Sequence, residues 1–448
     1  MSAGSAWATA AVAAVTGGYA LVSRRLASTA VSAPLVFTVA GVLIGPVGLG
    51  LLDLERDAGP VLTLAEVALA LVLFSDAATI RSEEFRSGWF LPIRLLVVAL
   101  PLTIAGGALM AWALLPGLTA WELALAGVVL APTDASVGKA AVFAPRIPAL
   151  VRHGLNAECG LNECLILPVF AVLLAGLPGT AASHQGVAGI LWQVLLFGPL
   201  LGVLIGGLGG WLLRRAWAGG LVAHDWRRIL PLALVTMAGT LAAATGGSAF
   251  VAAWVTGFVF TAALGAGPSP DGVPGATPDV APNGSPDDED NTLESVEHLA
   301  ALLAAMSFMV FGAVMLGPAL THLNWRVVIY AVLSLTVVRM LPTALALMGS
   351  GLRPATVAYT GWFGPRGLPS LVLGLLVAAE EVPGTRPTGT VIAVTVGLSV
   401  LLHSVSSVAL ADRYGRWYER AVARRAALRE SVADRVPGVH PLPEWKKW

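Results

Sequence analysis

In a strongly apolar neighbourhood, the stretch GLNAECGLNECLILPVF, residues 154–170, carries the carboxylates Glu158 and Glu163 and the carboxamides Asn156 and Asn162. A charged side chain at the centre of a bilayer costs about 2.5 to 3.5 kcal/mol even on lenient insertion scales, so such groups persist where they face a cavity and bind something. Glu158 and Asn162 are four apart and share a helix face, whereas Glu163 is rotated about 100° from Asn162. The two glutamates can therefore play different parts. Arg339, in LTVVRMLP, is an isolated cation in another apolar run and needs an anion. Glu158 is its preferred partner, in a buried pair that fixes packing more than it adds stability. That assignment leaves Glu163 as the carboxylate able to trade a proton for a cation.

Two further stretches place charge beside helix-breaking residues. In GVVLAPTDASVG, Pro132 removes a backbone donor and crowds the preceding turn, with Thr133 and Asp134 directly after it. In TGWFGPRGLPS, residues 360–370, Gly361, Gly364, Pro365, Gly367 and Pro369 surround Arg366. A broken helix survives in a membrane only where its freed backbone groups are satisfied by protein or line a watery cavity. Two breaks seven positions apart in helix order are the pattern of an inverted-repeat carrier, with its binding site between the half-helices.

The elements that must hold these residues follow from composition. With 448 residues, 56% hydrophobic side chains, 12% charged ones and no net charge, and a mean hydropathy of +0.78, the chain reads as an all-α polytopic membrane protein. About 20 apolar residues make one crossing, and roughly thirteen such runs can be counted. Their cores are expected at 6–23, 34–52, 60–80, 89–115, 121–144, 153–177, 187–214, 228–246, 248–264, 299–317, 324–349, 354–379 and 388–411. The fifth and twelfth are the discontinuous ones. The cut at Gly246-Gly247 decides between twelve and thirteen.

Lys and Arg concentrate at alternate helix ends, among them Arg24, Arg25, Arg214, Arg215, Arg227 and Arg228, while the opposite loops keep only Arg56, Arg326 and Arg386. This bias predicts the N-terminus outside and the basic tail, 412–448, in the cytoplasm along an anionic membrane surface. The first residues lack a basic n-region and read as part of the first helix. A Pro-, Gly- and Asp-rich acidic segment is expected to be a disordered loop over 265–298. Cys159 and Cys164, five apart, read as core thiols. Glu66 and Asp76 read as helix-end or water-facing groups. The seven histidines show no metal-ligand spacing, and no ATPase, redox or hydrolase motif stands out, so no enzyme activity, cofactor or nucleic-acid partner is expected.

From SAPLVFTVAGVLIGP through LAEVALALVLFSDA, APTDASVGKAAV, RIPALVRHGLNAECGLNE and GWFGPRGLPSLV to LLHSVSSVALADRY, the chain resembles the cation:proton antiporter-1 family of sodium/proton exchangers. The resemblance implies that family's fold, a homodimer in which an ion-carrying bundle (here about 89–177 and 324–411) moves against a dimerisation part (about 6–80 and 187–317). It also implies an ion site of Asp134 and Glu163 with Thr133 and Asn162 as neutral oxygen ligands. Glu158 and Arg339 would be the structural pair, and Arg366 would balance charge at the crossed half-helices. Two positions depart from the family pattern: Glu163 stands where an aspartate is usual, and Ser404 where glycine is usual.

The implied activity is exchange of Na+ or K+ for protons. Asn162, where electrogenic relatives carry a second acid, points to one proton per cation. Two other readings compete: a non-transporting sensor that keeps the fold, and a proton-coupled carrier of an organic acid. The second calls for a basic cavity, which two carboxylates argue against.

Overall fold

The computed structural model describes residues 3–26, 29, 31–51, 54–79, 89–134, 136, 137, 144, 146–180, 183, 186–265, 287–379, 385–424 and 428–431. Among these every regular element is helical. In chain order they are α1 (Ala3–Leu26), α2 (Ala33–Ile44), α3 (Leu54–Ala78), α4 (Phe90–Leu114), α5 (Ala120–Val129), α6 (Ala149–Ala175) and α7 (Ala188–Ala218). There follow α8 (His224–Ala244), α9 (Ala249–Gly265), α10 (Asp287–Thr321), α11 (Trp325–Ala346), α12 (Pro354–Trp362), α13 (Leu368–Ala379) and α14 (Thr385–Arg424). Eight of the described helices are long and apolar enough to cross a membrane, and α2, α5, α9 and α13 are shorter apolar helices. This is a multi-pass membrane protein. The glycine pair does separate two helices: α8 ends at Ala244, Gly246 takes φ +78°, and α9 begins at Ala249.

Three helices contain one wide turn, over Leu95–Ala99, Gln193–Phe197 and Gly312–Leu316. Each is followed two residues later by a proline: Pro101, Pro199 and Pro318. A proline offers no N–H to the carbonyl four residues back and its ring crowds that carbonyl. The helix adjusts by closing a bond one residue longer, from the N–H groups of Leu100, Gly198 and Gly317 to the carbonyls of Leu95, Gln193 and Gly312.

Contacts divide the chain into two compact units. The smaller comprises Glu66–Arg81 and His184–Ala304. Its axis is a seam of Gly198, Gly202, Gly206 and Gly210, spaced four apart on α7, against Val251, Val255, Thr256 and Phe260 of α9. A methyl group at any of the last three would drive into the backbone or side chains of α9, so the small residues set the close approach. Phe74, Phe260, Ala238 and Val296 fill the core beside it.

The larger unit comprises Met1–Ala65, Ser82–Ser183 and Ala305–Trp448, and it holds every candidate site residue. In it Gly41 of α2 and Gly45, just past its end, lie against Met309 and Ala313, at the wide turn of α10. Gly107 of α4 meets Gly127 of α5, and Tyr330 of α11 donates to the Gly107 carbonyl at 3.2 Å. The start of α5 is closed by a capping box: the Thr119 N–H donates to Glu122 Oε2 at 2.6 Å and the Glu122 N–H donates to Thr119 Oγ1 at 3.4 Å.

Several expectations shift. The second helix stops at Ile44 rather than near 52, because Gly45-Pro46 and the turn through Gly50, at φ +63°, end it. The eleventh is interrupted at Thr336, one turn before Arg339, where φ −104° and ψ −84° leave the helical region. The acidic loop was expected to reach 298, yet helix begins at Asp287. Leu293, Val296 and Ala300, at helical spacing, have apolar faces that pack into the smaller unit's core. Residues 266–286 lie outside the described residues. Cys159 is buried, but Cys164 is only partly so.

The basic tail begins as a straight continuation of α14 to Arg424, with Asp412 paired to Arg146 at 2.7 Å. Residues 428–431 then dock on protein. The fully buried Glu430 accepts hydrogen bonds from the Arg353 N–H and the Thr356 hydroxyl, both at 2.8 Å, and so caps the first turn of α12. Arg429 donates to the Ser350 carbonyl at 2.5 Å and lies over the Phe90 ring. That helix start has no side-chain cap from Arg353, its N-cap residue, and a carboxylate supplies what the exposed N–H groups require.

Candidate functional site

The interruption of the fifth predicted helix leaves α5 ending at Val129, with Leu130 to Asp134 non-helical; most of the residues beyond lie outside the described set. The interruption of the twelfth leaves Phe363 to Gly367 non-helical between α12 and α13. The two breaks meet. The Asp134 N–H donates to the Pro365 carbonyl at 2.8 Å, a backbone bond between one unwound segment and the other.

A half-helix ending inside the protein presents partial negative charge at its C-terminus and partial positive charge at its N-terminus. Arg366 serves the first need: its Nη1 donates to the carbonyls of Ala131, at 2.5 Å, and Pro132, at 3.2 Å, just past the end of α5. Asp134 serves the second: its Oδ2 accepts the N–H of Leu368, first residue of α13, at 2.8 Å, and its Oδ1 accepts the N–H of Ser136 at 2.7 Å. Glycine is required at both close approaches. A Cβ at Gly367 would strike the Asp134 carboxylate, and one at Gly364 would strike the Arg339 guanidinium.

Helix α6 passes beneath this crossing. Arg339 of α11 holds Glu158 with two bonds, Nη1 to Oε1 at 2.6 Å and Nη2 to Oε2 at 2.9 Å, and both side chains are buried. This forked geometry is the strong form of the pair. On the adjoining face, Asn162 Nδ2 donates to Thr133 Oγ1 at 2.7 Å, and Thr133 Oγ1 lies 3.4 Å from Cys159 Sγ. Asn162 Oδ1 is buried and accepts no hydrogen bond among the described residues. Cys159 neighbours Asn162 at a spacing of three and Glu163 at a spacing of four, and Glu163 is 4% exposed.

All seven residues singled out in the sequence lie in the larger unit, where Asp134 and Arg366 join the two breaks, Asn162 joins Thr133 of the first break to α6, and Glu158 joins α6 to Arg339 of α11. Cys159 was not foreseen as a wall of this site. Its position, three before Asn162 and four before Glu163, is the signal that could have found it. Ser399 and His403 of α14, which bond the second break, were also missed.

The charges give the site its sign. Asp134, Glu158 and Glu163 supply three negative charges and Arg339 and Arg366 two positive ones, all on buried side chains. Counted as formal charges, three acids less two bases leave one negative charge in surplus.

Comparison with known proteins agrees with this architecture. The transmembrane sodium/hydrogen exchanger family matches residues 11–412. A probable Na(+)/H(+) antiporter of Schizosaccharomyces pombe is 26% identical over 345 residues, 72% of this chain and 42% of that protein. Na(+)/H(+) antiporter 2 of Zygosaccharomyces rouxii is 28% identical over 186 residues, 38% of this chain and 22% of that one. The matched region spans less than half the length of either relative. Among solved structures, the sodium proton antiporter MjNhaP1 of Methanocaldococcus jannaschii at pH 8 has a TM-score of 0.73 at 18% identity, covering 90% of this chain and 98% of that one. An electron-microscopy structure of the same antiporter gives 0.67 at 17% identity, covering 97% and 98%. These two share the fold.

Proposed function

Because the chain belongs to the sodium/hydrogen exchanger family, we propose that it exchanges a monovalent cation, Na+ or K+, for protons across the cell membrane by alternating access. The observation that supports this reading is a buried group of three acids and two bases, a formal surplus of one negative charge, in which Glu163 is buried on the helix whose Asn162 bonds Thr133 at the broken end of α5. Proton and cation compete for that charge. Exchange follows when the occupied site is exposed to one side of the membrane and then the other.

The residues divide the work. Glu163 is the group that binds either the proton or the cation. Asn162 Oδ1 and Thr133 supply neutral oxygens, the ligand type a hard cation prefers. Asp134 completes the field of the site while its Oδ2 caps α13, so it sets the crossing as well as the charge. Glu158 with Arg339 holds α6 to α11, and Arg366 closes the end of α5. A surplus of one charge means one proton per cation and electroneutral exchange. Thirteen crossings with the N-terminus outside, the tail in the cytoplasm and assembly as a homodimer complete the reading. The sensor alternative has no observation in its favour beyond the glutamate at 163.

The test is flux. Purified protein in vesicles loaded with a pH-sensitive dye should alkalinise or acidify the lumen when Na+, K+ or Li+ is added outside. The proposal expects a response to at least one alkali cation, abolished in Glu163→Gln. A protein that folds, inserts and moves no protons with any of the three would return the sensor reading.

A further inference from the structure

The second break is held from a side the ion site does not use. Backbone groups freed by an interruption within a membrane need partners. Several come from the break itself or from the unwound segment after α5: the Gly364 N–H donates to the Trp362 carbonyl, the Leu368 N–H to Asp134, and Pro365 accepts from Asp134. Two others come from α14. The Arg366 N–H donates to Ser399 Oγ at 2.7 Å, and His403 Nε2 lies 3.0 Å from the carbonyl of Trp362, the last residue of α12. Ser399 and His403 stand one turn apart on α14, and both are buried.

His403 Nδ1 lies 3.2 Å from Ser399 Oγ and 2.9 Å from the Ser399 carbonyl. Ser399 Oγ accepts the Arg366 N–H and keeps its own hydrogen to give to Nδ1. Each ring nitrogen faces a backbone carbonyl, Nδ1 that of Ser399 and Nε2 that of Trp362, and the tautomer with its proton on Nε2 is the one that donates across to α12. The Trp362 indole packs on the imidazole with centroids 5.3 Å apart, and its Nε1–H donates to Ser406 Oγ at 3.0 Å. Helix α14 thus grips both lips of the break, one by a carbonyl and the other by an amide.

We propose that His403 and Ser399 are positioning residues for the ion site, setting the angle at which Arg366 reaches the carbonyls of Ala131 and Pro132. They act through the unwound segment 363–367 and touch neither ion. The inference rests on the cation/proton reading of that site. A histidine that merely filled space would be replaceable by leucine. One that works through Nε2 is replaceable by glutamine, whose amide nitrogen reaches about as far, and not by the shorter asparagine.

The experiment compares His403→Leu, His403→Asn, His403→Gln and Ser399→Ala in the full-length protein. Two quantities are read: the half-saturating cation concentration in vesicles, and amide hydrogen exchange of the peptide covering 363–371. Loss of one hydrogen bond should raise the half-saturating concentration about five- to tenfold in His403→Leu and His403→Asn, with Ser399→Ala moving the same way and His403→Gln staying close to wild type. The peptide should exchange faster in the first two and recover in the third. Wild-type affinity and exchange in His403→Leu, or glutamine no better than asparagine, overturns the proposal. Should His403→Leu fail to accumulate, glutamine against asparagine still decides. If the wild-type protein itself moves no protons, the antiport reading fails, and the amide exchange still tests the strap.

Discussion

Each buried charge in the larger unit has a job that its neighbours define. Arg339 and Glu158 meet in a two-bond pair with no access to solvent, so removing either strands the other at a cost of about 3 to 5 kcal/mol. Arg339→Ala should therefore yield little folded protein, measured by monodisperse recovery and melting temperature in detergent, and adding Glu158→Gln should restore part of it. A well-folded, fully active Arg339→Ala protein would dismiss the pair. Much of this was legible in the sequence, because an isolated arginine in an apolar run must find an anion and few were available. The use of Asp134 was less legible: the sequence offered it as an ion ligand, and only the meeting of the two breaks shows both of its oxygens accepting backbone N–H groups. Cys159 escaped notice since a thiol among apolar residues reads as core until its neighbours at spacings of three and four, Asn162 and Glu163, are drawn.

At the scale of elements, the protein builds its site from helix ends. The α5 terminus is met by Arg366, the α13 start by Asp134, and the α12 start by Glu430 from the tail. Gly367→Ala places a methyl group on the Asp134 carboxylate, so it should abolish flux, whereas Gly389→Ala, with open space around it, should leave flux unchanged. Equal activity of the two variants would show that the crossing tolerates spreading. Glu430→Ala removes a cap worth about 1 kcal/mol; it should lower the melting temperature and speed amide exchange at the start of α12, and an unchanged exchange rate there would argue that the tail contact is idle. Proline and glycine clusters announced both major breaks. The wide turns before Pro101, Pro199 and Pro318, the interruption at Thr336 and the docking of Glu430 were not announced. The wide turns are local answers to the crowding of a proline, and the docking of Glu430 depends on a partner some 77 residues away in the chain.

For the molecule as a whole, helix positions were readable because hydrocarbon imposes a length and a composition on anything that crosses it. The division into two units is decided by packing: the glycine seam of α7 on α9 in one, and the close approach of α2 to α10 and of α4 to α5 in the other. No periodicity in a uniformly apolar chain reports which faces meet. The charge surplus of one predicts that exchange is electroneutral, so clamping the vesicle potential with K+ and valinomycin should leave the Na+-driven rate unchanged; a rate that follows the imposed potential would require a second exchangeable charge. The central claim is that Glu163 carries that single charge, and the most direct measurement is cation-driven luminal pH change in vesicles bearing wild-type protein, Glu163→Gln or Glu163→Asp. The account predicts exchange in the wild type, none in a normally folded Glu163→Gln, and retained exchange with a shifted cation affinity in Glu163→Asp. Near-normal flux in Glu163→Gln would contradict it, moving the exchangeable charge to Asp134.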